Sequence, residues 1–209
     1  MTDNTHINVL SIDIGVRFFS CVAVSFHASE DGVCKCTPVI VNIAKNKHTI
    51  RSIDIIDAFN VNLGERQGIK TLDALIATWS NFAVFQFFQP DIILIENQVR
   101  CATLNMALSF ATYTLAKQQF PLSQVRFVPA KHKFKGYLKF FPDIGRPQSL
   151  QTYKDRKKEA VRISNEILNQ YFHVASIDQL GRSEASDERV RKMDDISDSF
   201  LQVFCVTRL

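Results

Sequence analysis

Glycine is scarce in this chain, with 7 among 209 residues, and proline is scarcer still at 6. So few glycines leave no Gly-rich phosphate loop, which excludes a kinase-like or actin-type ATPase. They also argue against a disordered or low-complexity chain. The 5 cysteines are odd in number and follow no disulfide framework. Cys34-Lys-Cys36 is a lone C-x-C without the second half of a zinc template, so reduced thiols are expected. The 5 histidines show no ligand spacing. No apolar run approaches the ~20 residues of a membrane span. The first residues, Met-Thr-Asp-Asn-Thr-His, have neither the order of a signal peptide nor the arginines of a transit peptide. A soluble, intracellular protein with no signal, transit or transmembrane segment is expected.

What is present is a core. Hydrophobic residues make up 46% and charged residues 22%, and there are 17 phenylalanines. That suits one globular domain spanning 1–209. The net charge of +4 permits nucleic-acid binding without demanding it, so the clustering of charge matters more than the total.

The pattern predicts strands over 7–14, 18–26 and 38–44, joined by short links as an antiparallel meander. A helix over 69–89 carries Leu72, Leu75, Ile76, Trp79, Phe82 and Ala83 at helical spacing and stops at Pro90. Residues 91–96 form a short apolar strand of the kind buried on both faces. A helix over 100–119 and a strand over 124–129 follow. Trp79, Phe82, Phe85 and Phe88 read as core or subunit interface. Met106, Phe110 and Tyr113 extend the apolar surface of helix 100–119, and burial within the monomer is the preferred account of them over a dimer contact.

Residues 130–150 are basic, aromatic and punctuated by Pro142, Gly145 and Pro147, which predicts a basic loop or flap outside the core. Helices are expected over 152–171 and 194–207, separated by a polar, charged stretch at 175–192. The fold class is α/β: a mixed five-stranded sheet flanked by helices.

Three apolar segments end on acids. Asp13 sits in Ser-Ile-Asp-Ile-Gly, Glu96 follows Ile92-Ile93-Leu94-Ile95, and Asp195 and Asp198 lie in Lys-Met-Asp-Asp-Ile-Ser-Asp-Ser-Phe. A carboxylate at the end of a buried strand is costly without a partner. Carboxylates on two strands and a helix suit a shared divalent cation such as Mg²⁺. Asp195 and Asp198 are three apart and share a helix face. The apolar set Ile196, Phe200, Val203 and Phe204 points about 150° away at ~100° per residue. The helix is therefore expected to pack by one side and present carboxylates on another. Asp194 is four from Asp198, so spacing leaves Asp194 and Asp195 as alternatives.

Three basic clusters accompany the acids: Lys131, Lys133, Lys135 and Lys139 interleaved with Phe134 and Tyr137; Lys154, Arg156, Lys157 and Lys158; and Arg189, Arg191 and Lys192. Such clusters suit phosphate contacts, and Phe134 and Tyr137 suit base stacking.

Four segments together carry a resemblance: Ile12-Asp13-Ile14-Gly15, Ile95-Glu96-Asn97-Gln98, the stretch from Tyr153 to Val161, and the stretch from Arg191 to Phe200. In order and spacing they resemble the RuvC-type Holliday junction resolvases of the RNase H-like (retroviral integrase) superfamily, with the likeness strongest to the poxvirus branch. The resemblance implies an RNase H-like fold, a homodimer, two Mg²⁺ ions per site with Mn²⁺ as a substitute, and paired symmetric nicking of four-way DNA junctions. It implies metal ligation by Asp13, Glu96, Asp195 and Asp198, choosing Asp195 over Asp194. It implies a functional lysine at Lys158, with Lys157 the immediate rival, and a second lysine for which Lys131 and Lys133 are candidates. Lys131, Lys133, Lys135, Lys154, Arg156, Lys157, Arg191 and Lys192 are the expected DNA contacts. A poxvirus-like setting would be host cytoplasm. The competing readings are a related nuclease acting on flaps, other branched DNA or RNA–DNA hybrids, and a non-catalytic junction-binding protein.

Overall fold

In the computed structural model, the described residues are 6–15, 17–43, 46–64, 68–98, 103–175 and 193–208. Strands β1 (His6–Ile14), β2 (Phe18–His27), β3 (Cys34–Ile43), β4 (Asn46–Asn62), β5 (Ile92–Asn97) and β6 (Gln124–Pro129) form one six-stranded sheet in the order β3-β4-β2-β1-β5-β6. The architecture is the expected mixed α/β sheet, with one strand more than the five predicted. β1, β2, β4 and β3 pair antiparallel, whereas β1, β5 and β6 pair parallel.

The additional strand is β4. It pairs with β2 and displaces β3 to the edge, so β2 and β3 are not neighbours as a simple meander requires. β4 mixes Lys47, His48, Arg51, Asp54 and Asp57 with its apolar residues, which hides its strand character. It is half-solvated toward the hairpin tip, where Ile50 alone is buried, and packs more fully where it crosses β2.

Among the described residues the helices are α1 (Ile69–Asn81), α2 (Ala83–Phe87), α3 (Thr103–Gln119), α4 (Lys133–Gly136), α5 (Tyr153–Phe172) and α6 (Met193–Val203), and α6 runs into a 3-10 turn at Phe204–Arg208. The predicted helix over 69–89 is two helices, because Phe82 is extended (φ −84°, ψ 129°). That break lets Phe85 stack on Trp79 at 4.1 Å, while the Trp79 indole N–H donates to Gln119.

Side chains alternate across a strand, and the sheet separates two apolar layers accordingly. Leu10, Ile12, Cys21, Ala23, Ile93 and Ile95 face α1, α2 and α3. Val9, Val22, Val24, Ile92 and Leu94 face α5, α6 and the segment following β6. Cys21, Cys34, Cys36 and Cys205 are buried free thiols, and Cys101 lies outside the described residues. Burial pushes the Cys36 thiol up to about 11. No described helix is long and apolar enough to cross a membrane.

The segment over 130–150 departs from expectation. It is not a loop outside the core: it folds as a 3-10 turn (Ala130–His132), α4 and a second 3-10 turn (Tyr137–Lys139). Phe134, Tyr137, Phe140, Phe141 and Ile144 are all buried. Each such side chain contributes roughly 1.5–3 kcal/mol when fully buried, enough to draw the segment inward while Lys131, Lys135 and Lys139 stay in water. Phe140 and Phe141 pack on Phe204 at 5.3 and 5.1 Å, so these rings belong to the core. Phe134 and Tyr137 are likewise unavailable for base stacking. Gly136 permits the approach, since a Cβ there would lie 2.7 Å from the Phe204 carbonyl oxygen. The stretch beyond Lys139 is irregular, and past Ile144 it is anchored by the Tyr137 hydroxyl donating to the Gly145 carbonyl and the Gln148 N–H donating to Glu159.

Candidate active site

The acids converge because of strand register and parity. β1 and β5 are adjacent and parallel, with Ile12 opposite Ile95, so Asp13 and Glu96 occupy the next rung. Both share the alternation of Val9, Ile92 and Leu94, and so turn to the α5–α6 side of the sheet. α6 crosses that side and brings Asp195 and Asp198. One oxygen from each of Asp13, Asp195 and Asp198 lies within 4.8 Å of the others. Glu96 joins through a lysine rather than directly: Lys133 Nζ is 2.7 Å from Asp198 Oδ1 and 3.7 Å from Glu96 Oε2.

A second lysine closes the cluster. Lys157 Nζ donates to Asp195 Oδ1 and Asp198 Oδ2, both at 2.7 Å, and stands 3.5 Å from Asp194 Oδ2. This lysine is Lys157, not Lys158. On α5, Lys157, Ala160 and Ser164 share the face toward α6, which Ser164 reaches by donating to the Ser197 carbonyl. Lys158 is about 100° around the helix, exposed, with its charge near Asp155. Asp155 and Thr152 form a capping box that starts α5 at Tyr153 and so sets the turn on which Lys157 falls.

Lys133 was expected on the surface and is instead 7% exposed. Asp198 is 2% exposed, so the expectation that α6 presents its carboxylates on an exposed face is also wrong. Ile196, Ser197, Ser199 and Phe200 are buried around it, so α6 is enclosed from Ile196 onward, while Asp194 and Asp195 in its first turn are partly exposed. The Asp195–Asp198 face points into a cleft rather than to bulk water. Asp195 rather than Asp194 joins the oxygen cluster.

Charge balance governs the site. Burial, then the Glu96 and Asp198 carboxylates, push the Asp13 carboxyl well above its ordinary value, against the pull of Lys133 and Lys157. For Lys157, burial alone would lower the ammonium, but Asp198, Asp195 and Asp13 outweigh it and hold it well above the usual lysine range. Lys133 behaves the same way, with Asp198, Glu96 and Asp13 overcoming burial. Both lysines are therefore charged at neutral pH, and the carboxylates around them still outnumber the cations.

The cleft has a volume of about 580 Å³. Asp13, Glu96, Asp195 and Asp198 lie on it, and Lys131, Tyr153, Arg156 and Lys157 line it too. Lys131, Lys135, Lys154 and Arg156 are exposed, as phosphate contacts require. Arg189, Arg191 and Lys192 lie outside the described residues. Tyr153 and Asn105 were not anticipated. Tyr153 is 66% exposed, with Lys157 Nζ 5.7 Å from its ring centroid, and Asn105 donates to Gln98. An aromatic one turn ahead of the site lysine was the available signal for Tyr153. Nothing in the sequence marked Asn105.

The donor set fits a divalent metal. Oxygens around one Mg²⁺ at about 2.1 Å lie at most about 4.2 Å apart, so closing on an ion from the observed limit of 4.8 Å takes a contraction of about 0.6 Å at most. The ligands are all hard carboxylates, as Mg²⁺ and Mn²⁺ prefer.

No family model matches the chain, and no curated protein matches it by sequence. Solved structures do match. A Thermus thermophilus RuvC structure is similar with a TM-score of 0.54 at 11% identity, covering 95% of each chain. The T. thermophilus RuvC structure in complex with Holliday junction substrate gives 0.53 at 11% identity, covering 95% of this chain and 94% of that one. The Fowlpox virus resolvase in complex with substrate Holliday junction DNA gives 0.52 at 12% identity, covering 96% and 98%. The class is thus an RNase H-like α/β fold. Within that class, the chain has the fold of RuvC and of the Fowlpox virus resolvase over nearly its whole length.

Proposed function

We propose that this chain is a metal-dependent, structure-selective endonuclease that resolves four-way DNA junctions by paired nicks. The observation that carries the reading is the meeting of Asp13, Asp195 and Asp198 oxygens within 4.8 Å in a cleft with Lys131 and Arg156 on its wall. The neighbours in complex with Holliday junction DNA share that fold and support the choice of substrate.

Asp13, Asp195 and Asp198 would hold Mg²⁺ or Mn²⁺, with Glu96 completing a two-ion site. Bound there, the ions would supply a water of lowered pKa and stabilise the leaving oxygen. The side chains do the rest. Lys157 orients Asp195 and Asp198 and offers a positive charge where charge develops on the phosphate. Lys133 does the same between Asp198 and Glu96. Lys131 and Arg156 draw the phosphate backbone to an acidic floor that would otherwise repel it. Lys135 and Lys154, and from the sequence Arg191 and Lys192, extend that contact.

Paired cutting needs two sites, hence a homodimer. The outer face of α3 and edge strand β6 supports one. Phe110 is 58% exposed and packs edge-on against the partly exposed Phe127 at 5.9 Å, and Tyr113 stacks on Phe127 at 5.8 Å. Burial within the monomer, the account preferred for these residues from sequence, does not hold for Phe110.

The test is a nicking assay in Mg²⁺ on a four-way junction, a flap, a linear duplex and an RNA–DNA hybrid, with a metal-chelated control. Preferential, symmetric cutting of the junction is expected. Equal cutting of all four, or cutting of the hybrid alone, assigns the chain to another nuclease class. Junction binding without any cutting makes it a binding protein.

A further inference from the structure

We infer that Gln202 is a positioning residue that holds the three acid-bearing elements in the geometry a divalent ion requires. The inference rests on the nuclease reading above and deepens it.

Gln202 interrupts the run Phe200-Leu201-Gln202-Val203-Phe204, whose other members are 0% exposed, and is itself 1% exposed. A carboxamide placed so deeply is unfavourable unless its hydrogen bonds are made. Its Nε2 makes two: it donates to the Ile12 carbonyl at 3.2 Å and to the Leu94 carbonyl at 3.1 Å. Ile12 immediately precedes Asp13, and Leu94 is two residues before Glu96. Gln202 is four residues after Asp198 and seven after Asp195, so all three share one face of α6. One amide group therefore ties α6 to β1 and β5 directly beneath the acids that each element carries.

A leucine or methionine would fill the same space without a polar group to satisfy. What the amide adds is direction, because two donated bonds fix both the rotation of α6 and its height above the strands. Ser199 adds a third tie, donating to the Ser20 carbonyl of β2 at 3.3 Å. Acids on three separate elements can share an ion only if those elements keep their spacing to a few tenths of an ångström. Partners that orient metal ligands in this way commonly change metal affinity or activity by about 10- to 100-fold.

The test compares the full chain with Gln202→Met, which keeps the volume and removes both donors. Mn²⁺ binding without DNA is read by calorimetry, and junction cleavage by steady-state kinetics. The expected result is an unchanged far-UV spectrum, Mn²⁺ affinity lower by about 10- to 100-fold, and a lower kcat with an unchanged KM for the junction. A purely structural glutamine would lower Tm and leave metal affinity and kcat within twofold of wild type, and that result overturns the inference. Should Gln202→Met not fold, the wild-type side-chain amide resonances of Gln202 replace it. They are expected to shift during Mg²⁺ titration with the same midpoint as the Asp198 backbone amide, and an unmoved signal overturns the inference. Wild-type protein that neither binds Mn²⁺ nor cuts defeats the nuclease reading and this inference with it. Normal wild-type behaviour beside an unaffected Gln202→Met defeats this inference alone.

Discussion

The two faces of the sheet differ in what they hide. On the α5–α6 side, charged and polar groups go inward: Lys133, Lys157 and Asp198, with the neutral amide of Gln202, sit against a packed aromatic floor. On the α1–α3 side the described interior is apolar apart from hydroxyls such as Thr71, Ser109 and Thr112 and buries no charged side chain, and aromatic groups come outward at Phe110, Tyr113 and Phe127. Burying a charge costs several kcal/mol unless it is paired, and exposing a ring forgoes roughly 1.5–3 kcal/mol. A fold keeps both departures from the usual rule only where something compensates. On one side the compensation is mutual ion pairing among the lysines and carboxylates. On the other the proposed compensation is a second copy of the chain. The comparison teaches that the proposed chemistry and the proposed association would occupy opposite faces, so each should fail independently of the other.

The largest effect should come from removing an acid. Asp13→Asn, Glu96→Gln and Asp198→Asn are each expected to lower junction cleavage by about 10³-fold or more, with junction binding largely retained in gel-shift assays. Full cleavage by Asp198→Asn would dismantle the metal assignment. Next come the adjacent lysines. Lys157→Ala should reduce kcat by about 10²-fold, while Lys158→Ala should stay within about twofold, both read in single-turnover assays. A reversed order would mean that the α5 face has been misassigned.

On the opposite face, Phe110→Asp is expected to shift the protein from dimer to monomer in light scattering. Coordinated double nicks should then give way to single nicks while each nick remains metal-dependent. A dimer that survives the change removes this surface from the interface.

The smallest effect concerns stability. The ordinary aspartate value is 3.8, and burial with neighbouring carboxylates holds the folded Asp13 value above it. The folded state therefore binds the proton more tightly than the unfolded state. Asp13 lowers stability as pH rises above 3.8 toward the folded value and has no effect well below it. In chelator at neutral pH, Asp13→Asn should raise Tm by about 2–4 °C, and at pH 3 the difference should vanish. Divalent-ion affinity of the wild type should rise over the same pH range, because the ion must displace that proton. An equal Tm for both proteins at neutral pH would show that Lys133 and Lys157 fully neutralise the cluster.

Much of this was legible in the chain. The β-branched residues of Ile7–Ile14 and the apolar run in Ile92–Ile95 marked two central strands, and the acid at the end of each marked the candidate site. The choice of Lys157 was legible in principle, since Lys157, Ala160 and Ser164 follow the inward spacing of α5. The resemblance favours Lys158 and leaves Lys157 as its rival, because a run of four basic residues among five, 154–158, gives every register a lysine or arginine to offer. β4 was hidden by its charges. The 130–150 segment was misread because lysines alternate there with aromatics, and composition does not say which of the two prevails. Burial of Phe134, Tyr137, Phe140 and Phe141 outweighed the solvation of the lysines, and Lys133 was carried inward with them.

The sequence by itself determined the elements that carry the acids and the residue types on them, because strand and helix periodicity are local properties of the backbone. Only the tertiary structure decided which cations meet those acids, that α6 is enclosed from Ile196 onward, and that Gln202 reaches the carbonyls of Ile12 and Leu94, one and two residues before Asp13 and Glu96. Those outcomes depend on contacts between residues as many as 190 positions apart. They arise from the balance between burying rings and pairing charges across the whole sheet, and no local pattern encodes that balance.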